Sequence, residues 1–157
     1  MDEIRFILNG RETAYTGGAG DRLLDVLRKD YRCTSVKCGC GEGECGACAV
    51  LIDGRLMNSC CVAMGAVEGA EIMTLEGYRE TERFTVLDRA FARATAVQCG
   101  YCIPGMVLAA EALLRRNPHP GPEEIREAIS GNLCRCTGYN AIVEAISLAA
   151  KEGNGVW

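Results

Sequence analysis

Eleven of the 157 residues are cysteines, and most of them stand in tight groups along the sequence. Grouped thiols in a chain without an export signal are more often metal ligands or redox groups than halves of disulfide bonds. One group lies within residues 38–48, a second within residues 99–102, and a further pair consists of Cys134 and Cys136. The sequence therefore predicts chemistry between thiolates and a metal.

The first group has the spacing of a plant-type [2Fe-2S] site, which is C-x4-C-x2-C followed by a more distant cysteine. Its first three members are Cys40, Cys45 and Cys48, and the residues alone leave Cys60 and Cys61 open as the fourth. Zinc usually takes closely spaced pairs of ligands, so this layout favours an iron-sulfur cluster. Glycine adopts positive φ and has no side chain, which allows a loop to curl closely around a cluster. Four glycines stand in this loop: Gly39, Gly41, Gly43 and Gly46.

The second group combines Cys99-x2-Cys102 with the pair Cys134 and Cys136. Together they would supply the four thiolates that a second [2Fe-2S] cluster needs. Residues two positions apart point to different sides of a helix, so Cys134 and Cys136 can face one site only from a turn. Taken alone the pattern also fits zinc. The plant-type spacing elsewhere in the same chain favours a second iron-sulfur cluster.

The elements that position the first group are predicted to be strands around one helix. Residues 4–8 and 12–16 flank the turn pair Asn9-Gly10, which indicates a β-hairpin. Asp21 is predicted to cap a short helix with leucines on one face. Further strands are predicted over residues 49–52, from the turn at 53–54 to 59, and over 72–75. This arrangement is that of a β-grasp fold.

After residue 84 the period of the hydrophobic residues changes from two to about 3.6, which predicts helices. Gly131 is predicted to cap the third of them at its C-terminal end. The domain prediction is a [2Fe-2S] ferredoxin-like domain over 1–76, a polar linker over 77–84 and a helical domain over 85–157. The predicted helices cover residues 85–96, 104–116, 122–130 and 139–151.

Composition excludes several other classes of protein. The net charge is −4, and no basic stripe interleaved with aromatic residues is present, so nucleic-acid binding is not expected. The single histidine, His119, cannot supply the histidine pair of a Rieske centre. The N-terminal segment has neither a secretory nor a twin-arginine signal, and no stretch is apolar enough to span a membrane. We expect a cytoplasmic protein with reduced thiols and no membrane insertion.

Four segments together resemble the small iron-sulfur subunit of the molybdenum hydroxylases, such as xanthine, nicotinate and carbon monoxide dehydrogenases and aldehyde oxidoreductases. They are LLDVLR, GCGEGECGACAV, QCGYCIPGM and SGNLCRCTGY, in the order and spacing of the family. The resemblance implies an α+β fold, with a plant-ferredoxin-like β-grasp domain followed by an all-α four-helix bundle. It also implies Cys60 as the fourth ligand, and it leaves no ligand role for Cys33, Cys38 and Cys61. The eight implied metal ligands are Cys40, Cys45, Cys48, Cys60, Cys99, Cys102, Cys134 and Cys136.

The same resemblance implies an electron-transfer role with no catalytic residue on this chain. Electrons would pass from a molybdopterin (cytosine dinucleotide) cofactor on a large subunit, through two [2Fe-2S] clusters, to FAD on a medium subunit. Cys136 and Gln98 would approach the pterin. The substrate would be selected by the large subunit and is not readable from this chain. Two alternatives are a free-standing two-cluster ferredoxin and a zinc-stabilised module without redox activity.

Overall fold

The computed structural model describes residues 3–153 and 155–157. Five strands occupy the first half: β1 Ile4–Leu8, β2 Arg11–Tyr15, β3 Ala49–Ile52, β4 Arg55–Asn58 and β5 Glu71–Met73. One helix lies among them and five follow: α1 Leu23–Lys29, α2 Leu75–Tyr78, α3 Glu82–Arg93, α4 Ile103–Arg116, α5 Pro122–Ala128 and α6 Asn140–Glu152. The fold is therefore a mixed sheet with helices, and the long helices come after the strands.

The strands form one sheet in the order β2-β1-β5-β3-β4. Only β1 and β5 run parallel, and the other neighbouring pairs are antiparallel. The hairpin predicted at Asn9-Gly10 is confirmed, since both residues have positive φ and β1 pairs with β2. Helix α1 buries Leu23, Leu24 and Leu27 in the core that it shares with Phe6 and other sheet residues. The helix therefore covers one face of the sheet.

Asp21 does not cap α1, contrary to the sequence prediction. The helix begins after Arg22, without a side-chain cap. The carboxylate of Asp21 instead accepts hydrogen bonds from the Tyr15 hydroxyl at 2.6 Å and from the Gly18 amide at 2.8 Å. These bonds lower the pKa of Asp21, the bond from Tyr15 most strongly. Tyr15 in the preceding strand therefore binds the Asp21 carboxylate oxygen that was expected to cap the helix.

The segment around the predicted linker is helical. Strand β5 ends at Met73, and α2 begins at Leu75, where the strand was expected to continue. Helix α3 begins three residues earlier than predicted, because the Thr81 hydroxyl accepts a hydrogen bond from the Phe84 amide and caps it. Helices α2 and α3 thus extend into the two ends of residues 77–84. The linker over 77–84 and the domain bounds 1–76 and 85–157 stay predictions.

The later helices match the predicted positions with small differences at their ends. Helix α3 ends at Arg93 and not at residue 96. Helix α5 ends at Ala128, with Ile129 at its C-terminal cap, so Gly131 does not cap it. Helices α3 and α6 pack closely, α5 contacts α4 and α6, and α4 also lies against β3. Leu51 of β3 belongs to the helical core, so the two halves share packing.

Glu111 on α4 is a charged side chain in the middle of this helical core, with 1% of its surface exposed. Its carboxylate accepts hydrogen bonds from the Tyr78 hydroxyl at 2.7 Å and from the Trp157 indole N–H at 2.8 Å. The Arg83 guanidinium lies 2.9 Å away and balances its charge. Burial and the bond to Glu111 raise the pKa of Tyr78 well above its ordinary value. A buried carboxylate is tolerable when it is paired and hydrogen-bonded in this way.

Among the residues that the model describes, no helix combines the length and apolar character needed to cross a bilayer.

Candidate metal centres

The loop that follows Lys37 curls around the Cys40 thiol. Gly41, Gly43 and Gly46 all have positive φ, as the glycine-rich sequence predicts. The Cys40 sulfur accepts backbone hydrogen bonds from the amides of Glu42, Glu44 and Cys45 at 3.3 to 3.4 Å. These donors lower the pKa of the Cys40 thiol to about 6. The loop is thus built to stabilise negative charge on sulfur.

The distant cysteine of the first group is brought to the loop by β4 and the short helical turn Ser59–Cys61 that follows it. The Gly43 amide donates a 3.2 Å hydrogen bond to the Cys60 sulfur. Asn58 fixes the same segment by donating from its side-chain amide to the Gly43 carbonyl at 2.8 Å. Cys60 and Cys48 are both buried, and the two thiols lie close enough to perturb each other's pKa. The structure therefore brings together the four cysteines of the first group.

Cys60 and Cys61 both lie beside the first loop, with their sulfur atoms 3.7 Å apart. A Cβ atom on Gly43 would lie 2.8 Å from the Cys61 sulfur, but the Gly43 amide donates to the Cys60 sulfur. Cys60 is buried and Cys61 is exposed. Cys38 is exposed before the loop, and Cys33 is buried in the core beneath α1. All eleven cysteines are free thiols.

The second group lines one surface cavity of about 580 Å³, which contains Cys99, Cys102, Cys134 and Cys136. Cys102 directly precedes α4, and its N-terminal turn includes the predicted first-turn proline. Cys134 and Cys136 lie in an irregular segment before α6, as their spacing predicts. The neighbouring Cys134 thiol adds to burial in raising the pKa of Cys102, and the neighbouring Cys99 thiol raises the pKa of Cys136. Two segments that are far apart in sequence thus supply two thiols each.

Neighbouring residues give the thiols of the second group different pKa values. The Cys134 sulfur accepts hydrogen bonds from the Thr137 hydroxyl at 3.1 Å and from the Thr137 amide at 3.4 Å. Burial opposes ionisation of Cys134, but these bonds outweigh it and lower the pKa to about 7. Burial, reinforced by the bond with Cys134, raises the pKa of Cys102 to about 12. The Cys134 amide donates to the Tyr139 hydroxyl at 2.8 Å, which holds the segment in place.

The thiols at both sites are arranged in pairs. Within the described ranges, no three cysteine, histidine or acidic side chains converge closely enough to hold one metal ion. The Cys40 amide donates to the Cys45 sulfur, which pairs these two residues. The thiols that perturb each other's pKa pair Cys48 with Cys60, Cys99 with Cys136, and Cys102 with Cys134. A [2Fe-2S] cluster takes two protein ligands on each of its two irons, whereas a structural zinc ion takes four on one centre. Two pairs at each site therefore fit a binuclear cluster.

Gln98 stands apart from the second cavity. Its side chain is exposed, and it is absent from the residues that line the cavity. Cys136 is also exposed, so the second site opens toward the surface on this side. Three large apolar residues lie exposed close to it in sequence: Val97 at 48%, Tyr101 at 49% and Leu133 at 57%.

Three residues that contribute to the sites were not identified from the sequence. Thr137 and Tyr139 hold Cys134, and Asn132 is buried between the two cysteine loops with 3% of its surface exposed. All three belong to the segment SGNLCRCTGY, so their closeness to two cysteines was a usable signal. The spacing of residues in the sequence does not show which groups these three side chains hydrogen-bond to.

Comparison with known proteins agrees with this geometry. The family model described as "2Fe-2S iron-sulfur cluster binding domain" matches residues 6–72, and the model described as "[2Fe-2S] binding domain" matches residues 74–147. The nicotinate dehydrogenase small FeS subunit of Eubacterium barkeri is 49% identical over 149 residues, which cover 95% of each chain. The xanthine dehydrogenase iron-sulfur-binding subunit of Escherichia coli O157:H7 is 42% identical, with 91% of each chain covered.

A solved structure supports the same assignment. A chain of quinoline 2-oxidoreductase from Pseudomonas putida 86 superimposes with a TM-score of 0.90 and 39% identity, and the match covers 98% of this chain and 96% of that one. Both family models, the near full-length relatives and the paired thiols point to one conclusion. The chain belongs to the family of small [2Fe-2S] subunits of the molybdenum hydroxylases.

Proposed function

We propose that this chain transfers electrons within a molybdenum-dependent hydroxylase complex and holds two [2Fe-2S] clusters for that purpose. The observation that carries the proposal is the presence of two separate sets of four thiols, each arranged as two pairs. The proposed ligands of the first cluster are Cys40, Cys45, Cys48 and Cys60. Those of the second are Cys99, Cys102, Cys134 and Cys136.

The residues around the thiols fit such clusters. Each bound cluster would take up and release one electron. The backbone amides that surround the Cys40 sulfur, and the Gly43 amide at Cys60, stabilise negative charge on the ligands. Thr137 does the same for Cys134. Hydrogen bonds of this kind, together with solvent exposure, set the reduction potential of an iron-sulfur cluster.

We infer that α3, α4, α5 and α6 form the four-helix bundle of the second domain. Its support is the packing of α3 on α6 and of α5 on both α4 and α6 around one apolar core. The N-terminal end of α4, which follows Cys102, then meets the segment before α6, which contains Cys134 and Cys136, at the cavity. In this proposal, the bundle positions two cysteine pairs that are distant in sequence so that they face the same cluster.

The partners we propose are a large subunit with a molybdopterin (cytosine dinucleotide) cofactor and a medium subunit with FAD. The exposed Tyr101 and Leu133 line the cavity of the second site, and apolar residues in such a position are typical of an interface. We place the large subunit on this face, where Gln98 and Cys136 would approach its pterin. The β-grasp half would then face the flavin.

The alternative of a free-standing ferredoxin is less consistent with the same surface. A protein that diffuses between partners would leave Tyr101 and Leu133 in water, about half of each side chain being exposed. The relatives described above are also named as subunits of larger enzymes. Eleven free thiols are compatible with a reducing compartment, so we propose that the complex works in the cytoplasm.

The proposal is tested by purifying the chain without oxygen, together with the proteins that bind it. We expect about four irons and four acid-labile sulfides per chain, as two [2Fe-2S] clusters require, and co-purification of a subunit that contains molybdenum. Zinc in place of iron would refute the redox function. Iron without a molybdenum-containing partner would favour the free-standing ferredoxin.

The route from the molybdenum site is tested in the assembled complex with Gln98→Ala. The variant should keep both clusters and lose a hydrogen bond at the pterin. Reduction of the clusters by substrate should therefore be slower than in wild type, while reduction by dithionite stays unchanged in rapid-mixing absorbance measurements. Asn140→Ala, an exposed residue at the start of α6, is the control. Equal rates with substrate in Gln98→Ala and wild type would exclude Gln98 from this route.

A further inference from the structure

The two cysteine loops touch each other directly, although they belong to different halves of the chain. The Leu133 amide donates a 2.9 Å hydrogen bond to the Cys45 carbonyl. Beside it, the side-chain amide of Asn132 donates a 3.1 Å hydrogen bond to the Gly46 carbonyl. Asn132 is 3% exposed, so this second bond is shielded from water. Two consecutive residues of one loop thus bind two consecutive carbonyls of the other.

The contact is close enough to exclude side chains. Gly46 has a φ of +68°, and a Cβ atom on it would lie 2.3 Å from the Gly131 carbonyl oxygen. A Cβ atom on Gly105, in the first turn of α4, would lie 2.5 Å from the Gly46 carbonyl oxygen. The backbones of the two loops therefore pack against each other without a side chain between them. Asn132 is the polar side chain that closes this contact.

The hydrogen bond between Leu133 and Cys45 also gives the shortest bonded connection between the two loops that the contacts show. Cys45 is a proposed ligand of the first cluster, and Leu133 is covalently joined to Cys134, a proposed ligand of the second. The path between the sulfur atoms of these two ligands therefore consists of one hydrogen bond and about ten covalent bonds, all within residues 45, 133 and 134. A second connection, from the Tyr101 hydroxyl to the Cys38 carbonyl at 2.8 Å, lies on the exposed surface.

We propose that Asn132 is a positioning residue for electron transfer between the two clusters, because it holds the Cys45 carbonyl and the Leu133 amide in register. This inference rests on the proposed function. In the step that it would serve, one electron would pass from the reduced cluster held by the Cys134 loop to the oxidised cluster held by the Cys45 loop. No covalent bond forms or breaks, and no proton transfer is needed for balance. Asn132 sets the separation and orientation of the two cluster loops and is not itself oxidised or reduced.

The test uses the cluster-loaded chain with Asn132→Leu, which has a similar size and no amide donor. The readout is the magnetic splitting between the two reduced clusters in electron paramagnetic resonance, since this splitting depends steeply on their separation. We expect the splitting to decrease in Asn132→Leu while iron stays at the wild-type content and each cluster keeps its own g-values. Asn117→Leu is the matched control. It removes a hydrogen bond to the Glu124 carboxylate within the helical half, away from both cysteine loops, so it should leave the splitting unchanged.

A second measurement keeps the test independent of how well the leucine variant folds. In wild type the Leu133 amide should be protected from hydrogen exchange, although the Leu133 side chain is exposed. In Asn132→Ala its protection should fall about tenfold, the equivalent of one lost hydrogen bond. Absence of iron in wild type would refute the proposed function. Wild-type iron content, together with unchanged splitting in Asn132→Leu and undiminished protection of the Leu133 amide in Asn132→Ala, would refute only the role of Asn132.

Discussion

The Tyr78 hydroxyl on α2 donates to the Glu111 carboxylate on α4, and both side chains are buried. This bond joins the short helix that follows the sheet to the central helix of the second half. Tyr78→Phe should lower the free energy of unfolding by about 1–3 kcal/mol, because a buried charged acceptor loses one of its donors. Urea unfolding of the cluster-loaded chain measures the difference. Tyr31→Phe, which removes a more exposed bond to the Ala14 carbonyl, is the control and should cost less.

Ligand and non-ligand cysteines should differ in their effect on cluster content. Cys45→Ser should remove the first cluster and leave about two irons and one paramagnetic signal per chain, since the second site has its own four thiols. Cys38→Ser should leave both signals, because Cys38 lies outside the C-x4-C-x2-C spacing and belongs to neither set of four proposed ligands. Iron analysis and electron paramagnetic resonance of the reduced protein check both results. Loss of a signal in Cys38→Ser would show that the ligand assignment in the first loop is wrong.

Thr137 should tune the potential of the second cluster. Thr137→Val keeps the shape of the side chain and removes the hydroxyl that donates to the Cys134 sulfur. A hydrogen bond of about 1 kcal/mol corresponds to a shift of about 40 mV for one electron, so the potential should become more negative by that amount. A redox titration followed by electron paramagnetic resonance measures it. Thr85→Val on the exposed face of α3 should leave both potentials in place, and an equal shift in the two variants would contradict the role of Thr137.

The ionisation of Glu76 should make part of the free energy of unfolding depend on pH. Burial opposes its ionisation, but bonds from the Ser35 hydroxyl and amide and from the Thr74 hydroxyl outweigh it and hold the pKa below the ordinary value of 4.5. A lowered pKa in the folded state stabilises the protein above about pH 4.5, and this contribution is lost as the pH falls through the folded-state pKa.

Glu76→Gln should therefore be less stable than wild type by about 1 kcal/mol at pH 7, allowing for its partial exposure. The difference should shrink toward pH 4. Urea unfolding at both pH values checks this, with the exposed Glu80→Gln as control. A difference that does not change with pH would mean that the carboxylate charge is not responsible.

The parts of the structure that depend on neighbours in sequence could be predicted, and the parts that depend on distant partners could not. The hairpin at Asn9-Gly10 and the cysteine groups follow local rules of spacing. Helix α2 was missed because Tyr78 is stabilised by Glu111, which lies 33 residues further along the chain. Asn132 was missed because its partner, Gly46, is 86 residues away. Asp21 looked like a helix cap because nothing in its immediate sequence reveals the competing Tyr15 hydroxyl.

The close packing of Gly46 against Gly131 and Gly105 limits how this protein can be recombined with its relatives. A hybrid that takes the sheet half from one member and the helical half from another would place foreign backbones within van der Waals contact at this point. A single side chain larger than hydrogen at residue 46 or 105 would force the loops apart. We therefore expect a hybrid to fold only when residues 46, 105 and 131 and the segments around them come from the same parent protein.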